Sequence, residues 1–209
     1  MKKTLMYILI FLSYFSFCIL FEDLLSLFNI ITVLICTGYI LFLIFVYRKN
    51  LKTELNDFKE NYKTYLPKYI LIYLFGILLM FLVNFILSKV TNQALAGNEA
   101  ITREYIKKYP IYMTFSALIF SPLVEELIFR KTLKNIFKSK YLFIILSGFI
   151  FGILHIANYT NPTELLFTIP YIIMGIDFAY IYYKTNNIFT TLTFHFCHNL
   201  ILLIIQFIK

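Results

Sequence analysis

Charge is scarce in this 209-residue chain. Asp, Glu, Lys and Arg together make up 14% of it, against about a quarter in an average soluble domain, and hydrophobic residues reach 60%. That balance, with a mean hydropathy of +0.78, excludes an ordinary soluble domain. Cysteine is scarce too. Cys18, Cys36 and Cys197 are three, an odd number, and all lie in apolar runs at no metal-ligand spacing, so they read as small apolar side chains. The first apolar run, Leu5–Phe21, is not followed by a small-x-small cleavage site before Glu22-Asp23. The start Met1-Lys2-Lys3 is therefore read as opening a retained span and not a removed signal peptide. Internal repeats, low-complexity tracts and a separate soluble region are absent, and 1–209 reads as one transmembrane domain. Tryptophan is missing and glycine numbers six, while Ile, Lys, Asn, Phe and Tyr are abundant. The bias suggests an AT-rich genome and an expected location in a bacterial plasma membrane.

What is present are long apolar runs. At about 1.5 Å per helical residue they match a hydrocarbon core about 30 Å thick. Seven candidate spans follow: Leu5–Phe21, Leu24–Tyr47, Tyr69–Leu87, Ile111–Phe129, Leu142–Ala157, Leu165–Tyr183 and Ile188–Ile208. The fold class is an all-α polytopic bundle. With seven crossings, fourteen of the nineteen Lys and Arg fall on the face of the N-terminus, in the Arg48–Lys68 loop, the Arg130–Lys140 segment and Lys184. Positive charge collects in cytoplasmic loops, so the N-terminus is expected in the cytoplasm. The net charge of +8 thus needs no nucleic-acid partner; the bilayer is the expected partner. Asn98 is a candidate cap for a short interfacial helix on the opposite face.

A few ionisable groups lie within the apolar runs. Glu125, Glu126 and Arg130 end the fourth, His155 lies in the fifth, Asp177 in the sixth, and His195 and His198 in the seventh. An Asp or Arg at mid-bilayer costs roughly 2.5–3.5 kcal/mol on insertion scales, and such groups normally face a partner or a cavity. Glu126 and Arg130, four apart on a helix, suit an ion pair. Glu125, rotated by about 100°, is left to project into a site. A helical hairpin turning at Ser139-Lys140 sets Glu125 and His155 level, each about 22 Å from the turn. The 24 Phe and 17 Tyr read as mostly lipid-facing or interfacial, with only Phe151 assigned to the site.

Taken in order, Glu-Glu-x-x-x-Arg (Glu125, Glu126, Arg130), Phe-x-x-x-His (Phe151, His155) and His-x-x-x-Asn (His195, Asn199) resemble the motifs of the CAAX-protease and bacteriocin-processing (CPBP, or Abi) intramembrane protease family, which includes the type II Ras-converting CAAX endopeptidase. Ser121-Pro122, Phe129 and Gly175 fit as flanking residues. The motif-bearing core is about 111–203, and the N-terminal half matches nothing specific. The resemblance implies an intramembrane endopeptidase acting on a membrane-associated or lipidated peptide. In it Glu125 and His155 activate a water, His195 and Asn199 stabilise the oxyanion, and Glu126, Arg130 and Phe151 support the site. His198 and Asp177 depart from the pattern: His198 reads as packing or a second donor, Asp177 as a hydrogen-bonding group in the bundle or a substrate contact. No cofactor is implied. The alternatives are a Zn²⁺-dependent membrane hydrolase, although His-Glu-x-x-His is absent and Asn is a poor zinc ligand, and a non-catalytic scaffold or bacteriocin self-immunity protein. More remote is a proton-coupled transporter, for which the paired repeats are lacking.

Overall fold

The computed structural model describes residues 2–20, 30–93, 96–155 and 161–208, and every regular element among them is helical. In chain order these are α1 (Lys2–Leu20), α2 (Ile30–Thr91), α3 (Gly97–Lys108), α4 (Pro110–Ile136), α5 (Lys140–Ile153), the short α6 (Pro162–Leu166), α7 (Thr168–Thr185) and α8 (Ile188–Ile208). Five of them, α1, α2, α4, α8 and the Pro162–Thr185 segment, are long and apolar enough to cross a membrane, and α5 is a shorter apolar helix. Their outer faces are apolar: Leu71 is 73% exposed and Ile111 86%. A surface of that kind is solvated by lipid, and the protein is an integral membrane protein. The expected boundary at Glu22-Asp23 lies outside the described residues.

One element departs from the seven-span reading. Arg48–Lys68, expected as a loop, is helical, and it joins the second and third apolar runs into the single 62-residue α2. The segment is rich in Lys, Glu, Leu and Asn and has no glycine, so nothing local breaks the helix except Pro67. Drawn straight, α2 would be about 93 Å long. It is not straight, because its two arms run in opposite directions along the bundle. Tyr39 stacks on Phe17 beside Phe120, and Tyr47 hydrogen-bonds Thr132 at 2.6 Å, so the first arm runs parallel to α4. Glu54 and Asp57 then accept hydrogen bonds from Ile188 and Asn187 at the α7–α8 turn. Beyond them Tyr69, Tyr73 and Met80 pack with Phe178, Ile181 and Met174, and Leu87 packs with Phe167, so the second arm runs antiparallel to α7. Pro67 removes one backbone hydrogen bond within this bend.

The core of the bundle is α5 against α7. Gly148 and Gly152, four apart on α5, lie directly on the α7 backbone: a Cβ on Gly148 would stand 2.7 Å from Ile176 N, and one on Gly152 2.8 Å from Ile172 N. From the other side a Cβ on Gly175 would stand 2.9 Å from the Gly148 carbonyl. Helices lacking the hydrophobic drive of water associate through such close approaches of small residues. A short helix, α3, is present where one was expected, but Asn98 is inside it and does not cap it. The capping position is Ala96, which offers no side chain to the first turn. The carboxylate of Glu164, from α6, takes that role instead, accepting from Gly97 N–H at 3.0 and 3.1 Å and from Gln93 Nε2 at 2.6 Å.

Candidate active site

The site is built on α4, which carries two wider, π-type stretches, Ser116–Phe120 and Glu126–Thr132. Such turns leave backbone groups to be satisfied from outside. In the first, Ser121 N–H bonds back five residues to Ser116 O. The next bond in that register would run from residue 122 to Ala117 O, but residue 122 is proline and has no N–H. The carbonyl of Ala117 is taken up instead by Asn199 Nδ2 of α8, at 2.8 Å. In the second stretch Phe129 O accepts from Ser147 Oγ at 2.6 Å, and Ser147 in turn accepts from Arg130 Nη1 at 3.0 Å. These bonds bring α4, α5 and α8 together.

The expected Glu126–Arg130 pair is present and fully buried, with Arg130 Nε 3.6 Å from Glu126 Oε2. Glu126 does more than pair with it. Its Oε1 accepts from His195 Nδ1 at 2.9 Å, while Nε2 of the same ring faces Glu125 Oε2 at 3.7 Å. One imidazole therefore lies between the two adjacent carboxylates, each taking a different nitrogen. Sequence spacing gives Glu126 an ion pair with Arg130 and sets Glu125 level with His155, and the resemblance makes those two the water-activating pair. Among the described residues no Glu125–His155 pair stands within 4 Å, although both side chains line the same cavity. The guanidinium of Arg130 lies over Phe151 at 4.8 Å and near Phe178 at 5.9 Å, and these ring faces offset part of the cost of burying it.

His155 is in the turn that ends α5, beyond the helix expected to run to Ala157; its N–H reaches Gly152 O at 3.1 Å. Its Nδ1 lies 2.8 Å from Phe151 O. A carbonyl can only accept, so Nδ1 carries the proton, and Nε2 of the neutral ring is left as an acceptor. Two aromatic residues that the sequence reading left unassigned flank the histidines. Tyr171 stacks on His155 with centroids 4.5 Å apart, and Phe178 stacks on His195 at 5.0 Å. Their hydropathy marks them only as apolar residues of a span. Spacing offers one cue, since Met174, Phe178 and Tyr171 share a face of α7 at three- and four-residue steps.

Glu125, His155, His195 and Asn199 converge on a cavity of about 440 Å³. Phe151 and His198 also line it, and His198 meets Tyr73 and Phe178 edge-on at 6.5 and 6.2 Å, in keeping with a packing residue. Asp177 does not reach the cavity. Its carboxylate lies where a Cβ on Gly76 would stand, 2.9 Å from Oδ2, and Oδ2 has no hydrogen-bond partner among the described residues. The hydrogen bond expected of Asp177 is thus not formed at Oδ2, because the group facing it is glycine, which offers no side chain. Among the described residues, no three His, Cys, Asp or Glu side chains converge as a metal site.

Residues 107–201, which carry all three motifs, match the family model described as type II CAAX prenyl endopeptidase Rce1-like. A protein of Bacillus subtilis (strain 168) named "Putative membrane peptidase YdiL" is 29% identical over 106 residues, which span 49% of this chain and 40% of that protein. The chain thus aligns with less than half the length of that relative. No solved structure gives a significant match. Over residues 107–201, this integral membrane protein is thus similar to the Rce1-like family of type II CAAX prenyl endopeptidases.

Proposed function

We propose that the protein is an intramembrane endopeptidase that hydrolyses a peptide bond in a membrane-associated or lipidated peptide, with Glu125 as the carboxylate that activates water. The observation that carries the proposal is the convergence of Glu125, His155, His195 and Asn199 on one cavity between apolar helices. Water held between Glu125 and Nε2 of His155 attacks the scissile carbonyl carbon as its proton passes to the carboxylate. In its imidazolium form His195 donates from both nitrogens, Nδ1 to Glu126 and Nε2 towards the cavity, where the tetrahedral oxyanion forms. Asn199 Nδ2 has a second hydrogen beyond the one given to Ala117 O, and it donates to the same oxyanion. The C–N bond then breaks as the proton held by Glu125 moves to the leaving nitrogen, giving a carboxylic acid and an amine, and the acid's proton then passes to the amine or to water.

The magnitudes suit the task. A positioned base contributes about 10²–10⁴-fold, and loss of one oxyanion donor costs about 10²–10³-fold. The glutamate class and the site are tested together with purified protein in lipid vesicles and a panel of membrane peptides, with products identified by mass. Glu125→Gln is expected to lower turnover by at least about 10²-fold. Cleavage by that variant at the unmodified rate would overturn the mechanism. The reaction as written uses no cofactor; loss of turnover with a strong chelator and its recovery with Zn²⁺ would replace it by metal-assisted hydrolysis. The proposed location is a bacterial plasma membrane, consistent with the B. subtilis relative.

A further inference from the structure

We infer that Tyr171 is a positioning residue for His155, holding the imidazole in the orientation whose Nε2 can take part in activating water. The inference rests on the hydrolytic reading above. His155 is in the turn that ends α5, two residues past its last helical residue, Ile153. Rotation of its ring about the Cβ–Cγ bond would carry Nδ1 away from Phe151 O and exchange the roles of the two nitrogens.

Two rings limit that rotation. Phe151 is tilted 42° to the imidazole at 4.6 Å and bounds it loosely. Tyr171 lies nearly parallel, 17° from coplanar at 4.5 Å, so a rotating imidazole would have to sweep through it. A parallel aromatic neighbour at this distance also contributes about 0.5–1.5 kcal/mol beyond the area it covers.

Tyr171 is itself anchored from outside the three motifs. It sits in the first turn of α7, where α5 and α7 are in backbone contact at Gly152 and Ile172. Its hydroxyl receives a long, 3.5 Å hydrogen bond from Asn98 Nδ2 on α3. The N-terminus of α3 is in turn held by Glu164. The plane of the imidazole is thus fixed by α7 and α3, while its motif partners fix only its Nδ1.

The chain has three histidines, so selective ¹⁵N labelling of histidine in the full-length protein gives three ring spectra, and His198→Gln helps to assign them. In the unmodified protein the His155 nitrogens are expected at well-separated shifts, as one tautomer requires. In Tyr171→Leu they should converge as the two tautomers exchange, while the His195 and His198 signals stay in place and report an intact bundle. Turnover should fall about tenfold with KM unchanged, the pattern of a misplaced group. Tyr171→Phe keeps the ring and should restore both readouts to within about twofold of the unmodified protein. Should the leucine variant fail to fold, Tyr171→Met keeps bulk without a plane and carries the same expectation. Separated His155 shifts in the Leu or Met variant would overturn the inference, whatever happens to turnover. Because the spectrum needs no substrate, a protein that cleaves nothing would count against the hydrolytic reading and leave this test standing.

Discussion

Glu125 and Glu126 are chemically identical neighbours whose surroundings give them different work. Glu126 is fully buried and held by Arg130 and His195. Glu125 faces the cavity, with its side chain 14% exposed. Breaking a buried ion pair by neutralising one partner costs about 3–5 kcal/mol, because the other charge is left uncompensated. Glu126→Gln is therefore expected to lower the thermal unfolding midpoint of the detergent-solubilised protein clearly. Glu125→Gln should leave that midpoint within a degree or two while removing turnover. Equal midpoints for the two variants would show that Glu126 is not the load on which the buried cluster depends. Pro122 and Asn199 make a second pair. Asn199→Ala leaves Ala117 O without its donor, at a cost of about 1–3 kcal/mol. Pro122→Ala restores a backbone N–H five residues along, in the register that Ser121 already uses. The double variant is expected to be less destabilised than the sum of the single ones, as measured by a thermal double-mutant cycle. Simple additivity would mean that the missing proline N–H is not what holds Asn199.

At the scale of elements, the contact of α5 with α7 depends on three glycines. A methyl group on Gly148 would stand 2.7 Å from a backbone nitrogen of Ile176, and the backbone cannot yield as a flexible side chain can. Gly148→Ala is expected to cost about 1–3 kcal/mol through forced separation of the helices, read as a lower unfolding midpoint. Gly38 has nothing within 4 Å of its would-be Cβ, so Gly38→Ala should be neutral or slightly stabilising in the same assay. The apolar segments themselves were legible from hydropathy, because only the bilayer rewards such runs. Other features were not. Arg48–Lys68 looked like a loop because charge excludes it from the bilayer, but charge does not break a helix and the segment has strong helix formers. The π-type stretches of α4 are set by neighbouring side chains, Asn199 and Ser147, that come from 82 and 18 residues away in the chain. Pro122 is the one local mark, and it shows only that a carbonyl is left free, not which side chain takes it.

For the whole molecule, the distribution of Lys and Arg predicts an orientation with the bend of α2 in the cytoplasm. In a variant lacking Cys18, Cys36 and Cys197, a cysteine replacing exposed Lys59 in the bend of α2 should resist a membrane-impermeant thiol reagent in intact cells, and one replacing Lys107 on α3 should react. The reverse pattern would invert the topology, placing the bend outside and α3 in the cytoplasm. The sequence by itself determined the class of the protein, since unbroken apolar runs of this length fit helical spans, which satisfy their own backbone polar groups in lipid. It also drew attention to ionisable groups in apolar runs, which are costly there; Glu125, His155, His195 and His198 line the cavity and Asp177 does not. Only the tertiary structure decided how those groups are shared: His195 between two carboxylates, Asn199 on the carbonyl that Pro122 leaves free, and Tyr171 against His155. Spacing along one helix reports which residues share a face. Hydrogen bonds and ring contacts between helices depend on how the faces are brought together, and packing alone settles that.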